Sequence, residues 1–154
     1  MTQIQIRLGV PSDAEQVARL CHALWPDASP EEHREEVMPT LAGKPPGILP
    51  AAIFVAQTAA GDLVGFLEVS LRSHADGCDV RHPVGFLEGW FVTEGERGRG
   101  TGAQLLAAAE NWARRQGCRE MASDTWIDSS LSQRVHETLK FEVVDRCVHY
   151  RKTL

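Results

Sequence analysis

The sequence predicts an α+β fold, an α/β arrangement in which one mixed sheet carries helices on both faces. Three observations carry the prediction. Stretches that alternate every second residue, as Ile4, Ile6 and Leu8 do, interleave with stretches of helical period in the order β-α-α-β-β-β-α-β-α-β. Ala51–Thr58 and Leu63–Ser73 meet across the turn Ala59-Ala60-Gly61-Asp62, which makes a hairpin. From Phe86 to Ala113, an apolar strand, a glycine-rich turn and an amphipathic helix succeed one another.

Taken in order, Gln3–Leu8 is the first strand. Ser12 and Glu15 have the spacing of a capping box and open a helix. Its apolar stripe is Ala14, Val17, Ala18, Cys21, Leu24 and Trp25, and Pro26 stops it. Ser29-Pro30-x-Glu32 starts a second helix, which Gly43 and Pro45-Pro46-Gly47 end. After the hairpin, Ser73–Pro83 is a polar loop and Phe86–Val92 the central strand. Gly102–Gln116 is a helix that buries Leu105, Leu106, Ala109, Trp112 and Ala113, with Gly117 as its stop. Arg119–Ser123 is a short strand ending at Asp124. Asp128 or Ser129 caps a last helix with Leu131, Val135 and Leu139 on one face, and the alternating Phe141–Tyr150 closes the sheet. No repeat or linker interrupts this order, so residues 1–154 read as a single domain.

Composition narrows the function classes. A chain that is 43% hydrophobic with regular periodicities is not disordered. A net charge of −5 disfavours non-specific nucleic-acid binding and suits a cationic substrate. Met1–Val10 lacks a basic region followed by an apolar core, and no apolar stretch is long enough to span a bilayer. Cys21, Cys78, Cys118 and Cys147 are scattered and read as reduced thiols, so the expected location is cytoplasmic.

A strand, a glycine turn and a helix in succession make an anion site. The free N–H groups of the helix's first turn point over the glycines, and Arg97 and Arg99 add charge. Two common phosphate motifs are absent: Gly102 is followed by Ala103 rather than Lys, and Gly98, Gly100 and Gly102 simply alternate. Three carboxylates complete the picture. Alternation puts Glu88 on the face of Phe86, Trp90 and Val92, and Asp145 on the face of Phe141, Val143 and Cys147. A carboxylate among apolar neighbours must be ion-paired, face a cavity or hold its proton. Asp124 sits at a strand end, where ligand crevices open. Together they suggest a pocket for a multiply charged cation, against the plainer readings of ion-paired or turn-forming residues. His74, Cys78 and His82 are equally spaced, but a polar loop explains them and no metal site is expected.

Arg97-x-x-Gly100-x-Gly102 resembles the acyl-CoA pyrophosphate loop of the GCN5-related N-acetyltransferase (GNAT) superfamily. Leu87-Glu88-Gly89-x-Phe91-Val92, Gly117-Cys118-Arg119-Glu120-Met121-Ala122-Ser123-Asp124-Thr125 and Ser132-Gln133-x-Val135-His136 resemble aminoglycoside 6′-N-acetyltransferases, with similarity running from Trp25-Pro26 to Tyr150-Arg151-Lys152. The resemblance implies a mostly antiparallel sheet, acetyl-CoA as donor, no metal, a homodimer, and acetylation of an aminoglycoside amine as a means of antibiotic resistance. It implies that Trp25, Glu88, Asp124 and Asp145 line the acceptor site; His74 is the residue available to substitute for the family's aromatic there, and Glu88 or Asp124, through water, is the candidate for removing the proton. Trp90, Phe91, Val92, Arg97, Gly98, Arg99, Gly100, Thr101, Gly102, Ala103 and Ser129 are the implied cofactor residues. Several positions depart from the family pattern. Lys140 stands where relatives have Gly, so the last helix is expected to end differently. Ser129 replaces an Asn, His74 stands where relatives place an aromatic, and the last helix has no Tyr to act as general acid. The rival readings are an N-acetyltransferase for another small amine, polyamine or lysine, and a non-catalytic acyl-CoA-binding module.

Overall fold

A computed structural model describes residues 3–154. Met1 and Thr2, where the reading of the N-terminal segment begins, lie outside the described residues. The elements are β1 (Ile4–Leu8), α1 (Ala14–Leu24), α2 (Pro30–Leu41), β2 (Ala51–Thr58), β3 (Leu63–Arg72), β4 (Val84–Val92), α3 (Thr101–Arg115), β5 (Met121–Ser123) and α4 (Ser130–Thr138). The strands lie in sequence order in one sheet; β1 to β4 are antiparallel neighbours and β5 runs parallel to β4.

Each face of this sheet is closed by helix. On one, Val17 and Cys21 of α1 and Val37 and Leu41 of α2 pack on Ile53, Val55 and Phe66. On the other, Leu105, Leu106 and Ala109 of α3 pack on Phe54, Leu67, Val69 and Leu87. The predicted stripes of α1 and α3 are therefore the faces that meet the sheet. Ser29 and Glu32 cap the start of α2 reciprocally, at 3.1 and 2.7 Å. The Ser12–Glu15 box does not form. Asp13 instead closes the turn before the helix, accepting from the Val10 N–H at 2.8 Å while the Arg7 guanidinium grips its two oxygens at 2.7 and 2.8 Å. The Arg7 hydrogen bonds hold the Asp13 carboxyl below the usual carboxylate range.

Two irregularities position the site. Opposite β3, Val69 pairs with Leu87 and Glu68 pairs with Gly89, so Glu88 is an extra residue, a bulge in β4. On the other edge, β4 pairs with β5 over Gly85–Leu87 alone. β5 ends at Ser123, so from Glu88 onward this edge of β4 has no β5 partner.

The C-terminal segment corrects the prediction of a closing strand. Phe141–Tyr150 forms no ladder with the sheet among the described residues, and Val143, Val144, Val148 and Tyr150 are exposed. Its alternation is real, but a strand needs an edge to pair with, and this segment leaves its own sheet. Phe141 packs against the α3-side core and His136, and further along Val144 lies so close to Gly77 of the 73–83 loop that a side chain there would collide with it.

Lys140 corrects a second expectation. It adopts a left-handed conformation, φ 73°, which strains a residue that carries a Cβ. The Phe141 N–H bonds the His136 carbonyl and the Lys140 N–H the Glu137 carbonyl, at 3.0 and 3.1 Å. That is a Schellman ending made with the wrong residue for it. Replacing Lys140 with Gly is expected to raise the unfolding free energy by about 0.5–1 kcal/mol, since the relief of Cβ strain outweighs the freedom the unfolded chain gains. A higher urea midpoint at unchanged slope is the readout.

Candidate active site

The bulge decides which side chains face which way. Before it, Phe86 pairs with Ser70; after it, Trp90 pairs with Leu67 and Phe91 with Phe66. Paired residues share a face. Trp90 and Val92 therefore join the α3 core, while Phe91 packs with α1 and α2. The predicted shared face of Glu88 with Trp90 and Val92 is overturned, because one extra residue reverses a two-residue alternation. Glu88 instead points with Phe86 towards β3. It accepts from the Ser70 hydroxyl at 2.5 Å and from Arg72 through both oxygens at 2.9 Å. The Arg72 guanidinium lies 3.4 Å from the Phe86 ring centre. Sequence reasoning found the carboxylate but not its resident cation, because Arg72 lies on another strand.

Trp25, at the end of α1, lies over Gly89. A side chain there would collide with the indole, so Gly89 is what lets the ring reach the strand. The edge contact with Phe66 and the bond from His33 Nε2 to the Trp25 carbonyl, 2.9 Å, hold the turn in place.

Glu68 is a residue the sequence reading missed. It alternates with Phe66 and Ser70 on the α1–α2 side, opposite Gly89, and among the described residues its carboxylate has no hydrogen bond or ion pair. Burial pushes its pKa up to about 7, with the Glu88 and Glu36 charges adding to the effect. A signal was present: a Glu inside the apolar run Leu63–Leu71, at the same spacing oddity used to single out Glu88.

The other predicted acceptor residues are less assembled. Asp124 follows β5 and is exposed. Asp145 lies on the unpaired C-terminal segment, where its carboxylate accepts only the next residue's N–H, at 2.7 Å. His74 is exposed in the 73–83 loop and bonds Ser73. His74, Cys78 and His82 do not gather as a metal-binding group among the described residues.

The anion loop has the backbone that its glycines suggest. Gly98 and Gly100 are left-handed, φ 73° and 86°. Gly100 is the N-cap of α3 and caps it with no side chain, so the first-turn N–H groups are left for a ligand. Nothing lies within 4 Å of the Gly98 Cβ position. Arg97 pins the loop to the strand end, donating to the Val92 carbonyl at 2.9 Å, and exposed Arg99 reaches Glu96. The Trp90 indole rests against Gly102, and among the described residues its buried N–H has no acceptor. An orphaned donor, an uncapped helix start, two left-handed glycines and open space over Gly98 fit a phosphate-bearing, carbonyl-rich ligand such as acetyl-CoA. Ser129 is the N-cap of α4 and half-buried, facing no cap bond of its own.

Between the two sides sits a further arrangement that sequence reasoning did not find. Ser123 pairs with Leu87, the last rung of the β4–β5 ladder. Its hydroxyl is 2.8 Å from His136 Nε2, and His136 Nδ1 is 2.7 Å from the Ser132 carbonyl. A carbonyl only accepts, so Nδ1 carries the proton and Ser123 donates to Nε2. Trp90 and Phe141 flank the imidazole edge-on.

Residues 15–141 match the Acetyltransferase (GNAT) family. The chain is 44% identical over 133 residues to an aminoglycoside N(6′)-acetyltransferase type 1 of Serratia marcescens, covering 86% of this chain and 87% of that protein. It is 40% identical over 149 residues to one of Stenotrophomonas maltophilia, covering 97% and 93%. Among solved structures, AAC(6′)-Iy in complex with a bisubstrate analogue superposes with a TM-score of 0.86 at 37% identity, covering 99% of each chain.

The buried carboxyl of Glu68 ties stability to pH. Its folded pKa, about 7, lies above the ordinary 4.5, so the stability its proton confers is full below 4.5 and lost as pH rises through 7. Glu68→Gln does not titrate there. The variant is expected to gain on the parent by up to about 1.4 kcal/mol per pH unit across that window and to keep the advantage above it. Unfolding midpoints at about pH 5 and pH 8 check the sign; the same difference at both contradicts it.

Proposed function

The chain belongs to the GNAT acetyltransferase family, and on that premise we propose that it transfers an acetyl group from acetyl-CoA to the 6′-amine of an aminoglycoside. The observation that carries the reading is the uncapped, glycine-led start of α3 beside a sheet whose other face bears carboxylates. α3 packs on one face of the sheet, Glu68 and Glu88 lie on the α1–α2 face, and Asp124 follows β5 where its ladder with β4 ends. Relatives of that name spanning nearly the whole chain support the acceptor. Residues 1–154 act as one catalytic domain, and its expected place is the cytoplasm.

Acetyl-CoA supplies an activated thioester. The chain binds its pyrophosphate with the N–H groups from Gly98 to Ala103, helped by Arg99, while Arg97 keeps the loop against Val92. Trp90, Phe91, Val92 and Ser129 complete the cofactor side. On the acceptor side Trp25 is a flat apolar wall for a sugar ring, and Glu88 and Asp124 attract ammonium groups; His74 stands at the rim. Glu88 is already engaged by Arg72 and Ser70, which makes it a rigid acceptor of hydrogen bonds. Asp124, open to water, is the carboxylate that the sequence reading offers beside Glu88 for drawing a proton through solvent.

The test is CoA release from acetyl-CoA with kanamycin, spermidine and a lysine peptide as acceptors. Turnover is expected with kanamycin at a kcat/KM at least about tenfold above the others, the margin that one desolvated charge-assisted bond confers. Preference for spermidine or the peptide reassigns the acceptor, and no release with any amine leaves an acyl-CoA-binding module.

The working unit is a homodimer, with no nucleic-acid or membrane partner. Supporting this, the Phe141–Tyr150 segment alternates, is exposed and pairs with nothing in its own sheet, and a second copy offers it an edge. Asp145 rides on this segment, so its role at the acceptor depends on how the segment docks. Light scattering is expected to give twice the 17.0 kDa chain mass. Truncation after Lys140 should reduce it to a single chain; a full-length mass of one chain contradicts the dimer.

A further inference from the structure

We propose that Glu68, rather than Glu88 or Asp124, accepts the proton of the reacting ammonium group, an inference that rests on the acetyltransferase reading. Three observations separate the carboxylates. Glu88 is held by Ser70 and by the Nε and Nη2 groups of Arg72. Asp124 is exposed beyond the strand end. Glu68 lies opposite Gly89, one residue past the bulge and beneath the Trp25 wall, with no donor or cation on its carboxylate among the described residues. It is half-buried, so it is both reachable and poorly hydrated.

The charges around Glu68 fit that task. Glu88 of β4 and Glu36 of α2 bear on it, and the Cys21 thiol of α1 feels its charge, its own pKa pushed up to about 12 mainly by burial. Arg72, further along β3, is tied to Glu88, and His33 of α2 bonds the Trp25 carbonyl and lies 3.6 Å from Glu36. An ammonium entering this acidic, partly dry spot is attracted. Passing its proton to Glu68 then turns two buried charges into two neutral groups, which a low-dielectric site favours. The freed lone pair forms the C–N bond at the thioester carbon. The C–S bond breaks with its electron pair going to sulfur, and the proton still on nitrogen goes to the departing thiolate. Glu68 returns its own proton to solvent. A base titrating near neutrality suits a reaction run there.

The experiment is the pH profile of kcat/KM with kanamycin for the parent, Glu68→Gln, Glu68→Asp and Glu88→Gln. The parent is expected to lose activity below about pH 7 as one group protonates, with the amine's own ionisation at higher pH. Glu68→Gln should remove the lower ionisation and cut kcat about a hundredfold, leaving KM for acetyl-CoA unchanged. Glu68→Asp should retain the ionisation at reduced kcat, whereas Glu88→Gln should raise KM for kanamycin and keep it. A Glu68→Gln enzyme with parental kcat and both ionisations overturns the assignment. So does a parental profile with no ionisation near neutrality, a result that does not depend on any variant folding. A parent that turns over no amine removes the acetyltransferase reading itself, and this inference with it; an active parent indifferent to Glu68 removes Glu68 alone.

Discussion

One extra residue in β4 governs the site. Side chains in a strand alternate with period two, so a single insertion at Glu88 exchanges the faces of every later residue in the strand. Phe86 and Glu88 end on the α1–α2 side, and Trp90 and Val92 on the α3 side. Just there β4 loses β5 as a neighbour, because the parallel ladder stops at Leu87. The two irregularities leave the anion-binding helix start on one face of the sheet and the carboxylates Glu68 and Glu88 on the other, beside an edge that β5 no longer covers.

The acceptor side shows how environment divides labour among like residues. Glu88 and Glu68 have the same chemistry and sit on neighbouring strands. Arg72, stacked on Phe86, neutralises the first and leaves the second with only negative neighbours. Burial penalises an unpaired charge far more than a paired one, so the two carboxyls behave differently at the same pH. The apolar frame contributes too. Gly89 has no side chain, Trp25 therefore reaches the strand, and the ground around Glu68 is shielded from water.

The C-terminal end carries strain and unfinished pairing together. Lys140 accepts a left-handed backbone, and the chain turns out of α4 through Phe141, whose ring packs on His136. From there to Tyr150 the chain is a strand in pattern and an exposed segment in fact. Exposed apolar side chains gathered in one segment, here Val143, Val144, Val148 and Tyr150, are the kind of surface that marks an interaction site.

Local chemistry was legible in the sequence. The period of each element, the Ser29–Glu32 cap, the glycines at Gly98 and Gly100 and the strand–turn–helix order all depend on residues near one another in the chain. The resemblance of long motifs extended this to the family. Tertiary structure decided the rest, because the deciding partner was distant in sequence. Arg72 makes Glu88 a paired carboxylate, and Arg7 pairs with Asp13, whose carboxylate takes the Val10 N–H where the Ser12–Glu15 box was expected. Whether Phe141–Tyr150 is a strand turns on an edge its own sheet does not supply. A bulge is invisible in a pattern of alternation until the register of the neighbouring strand is known, since only the partner shows which residue has no opposite number.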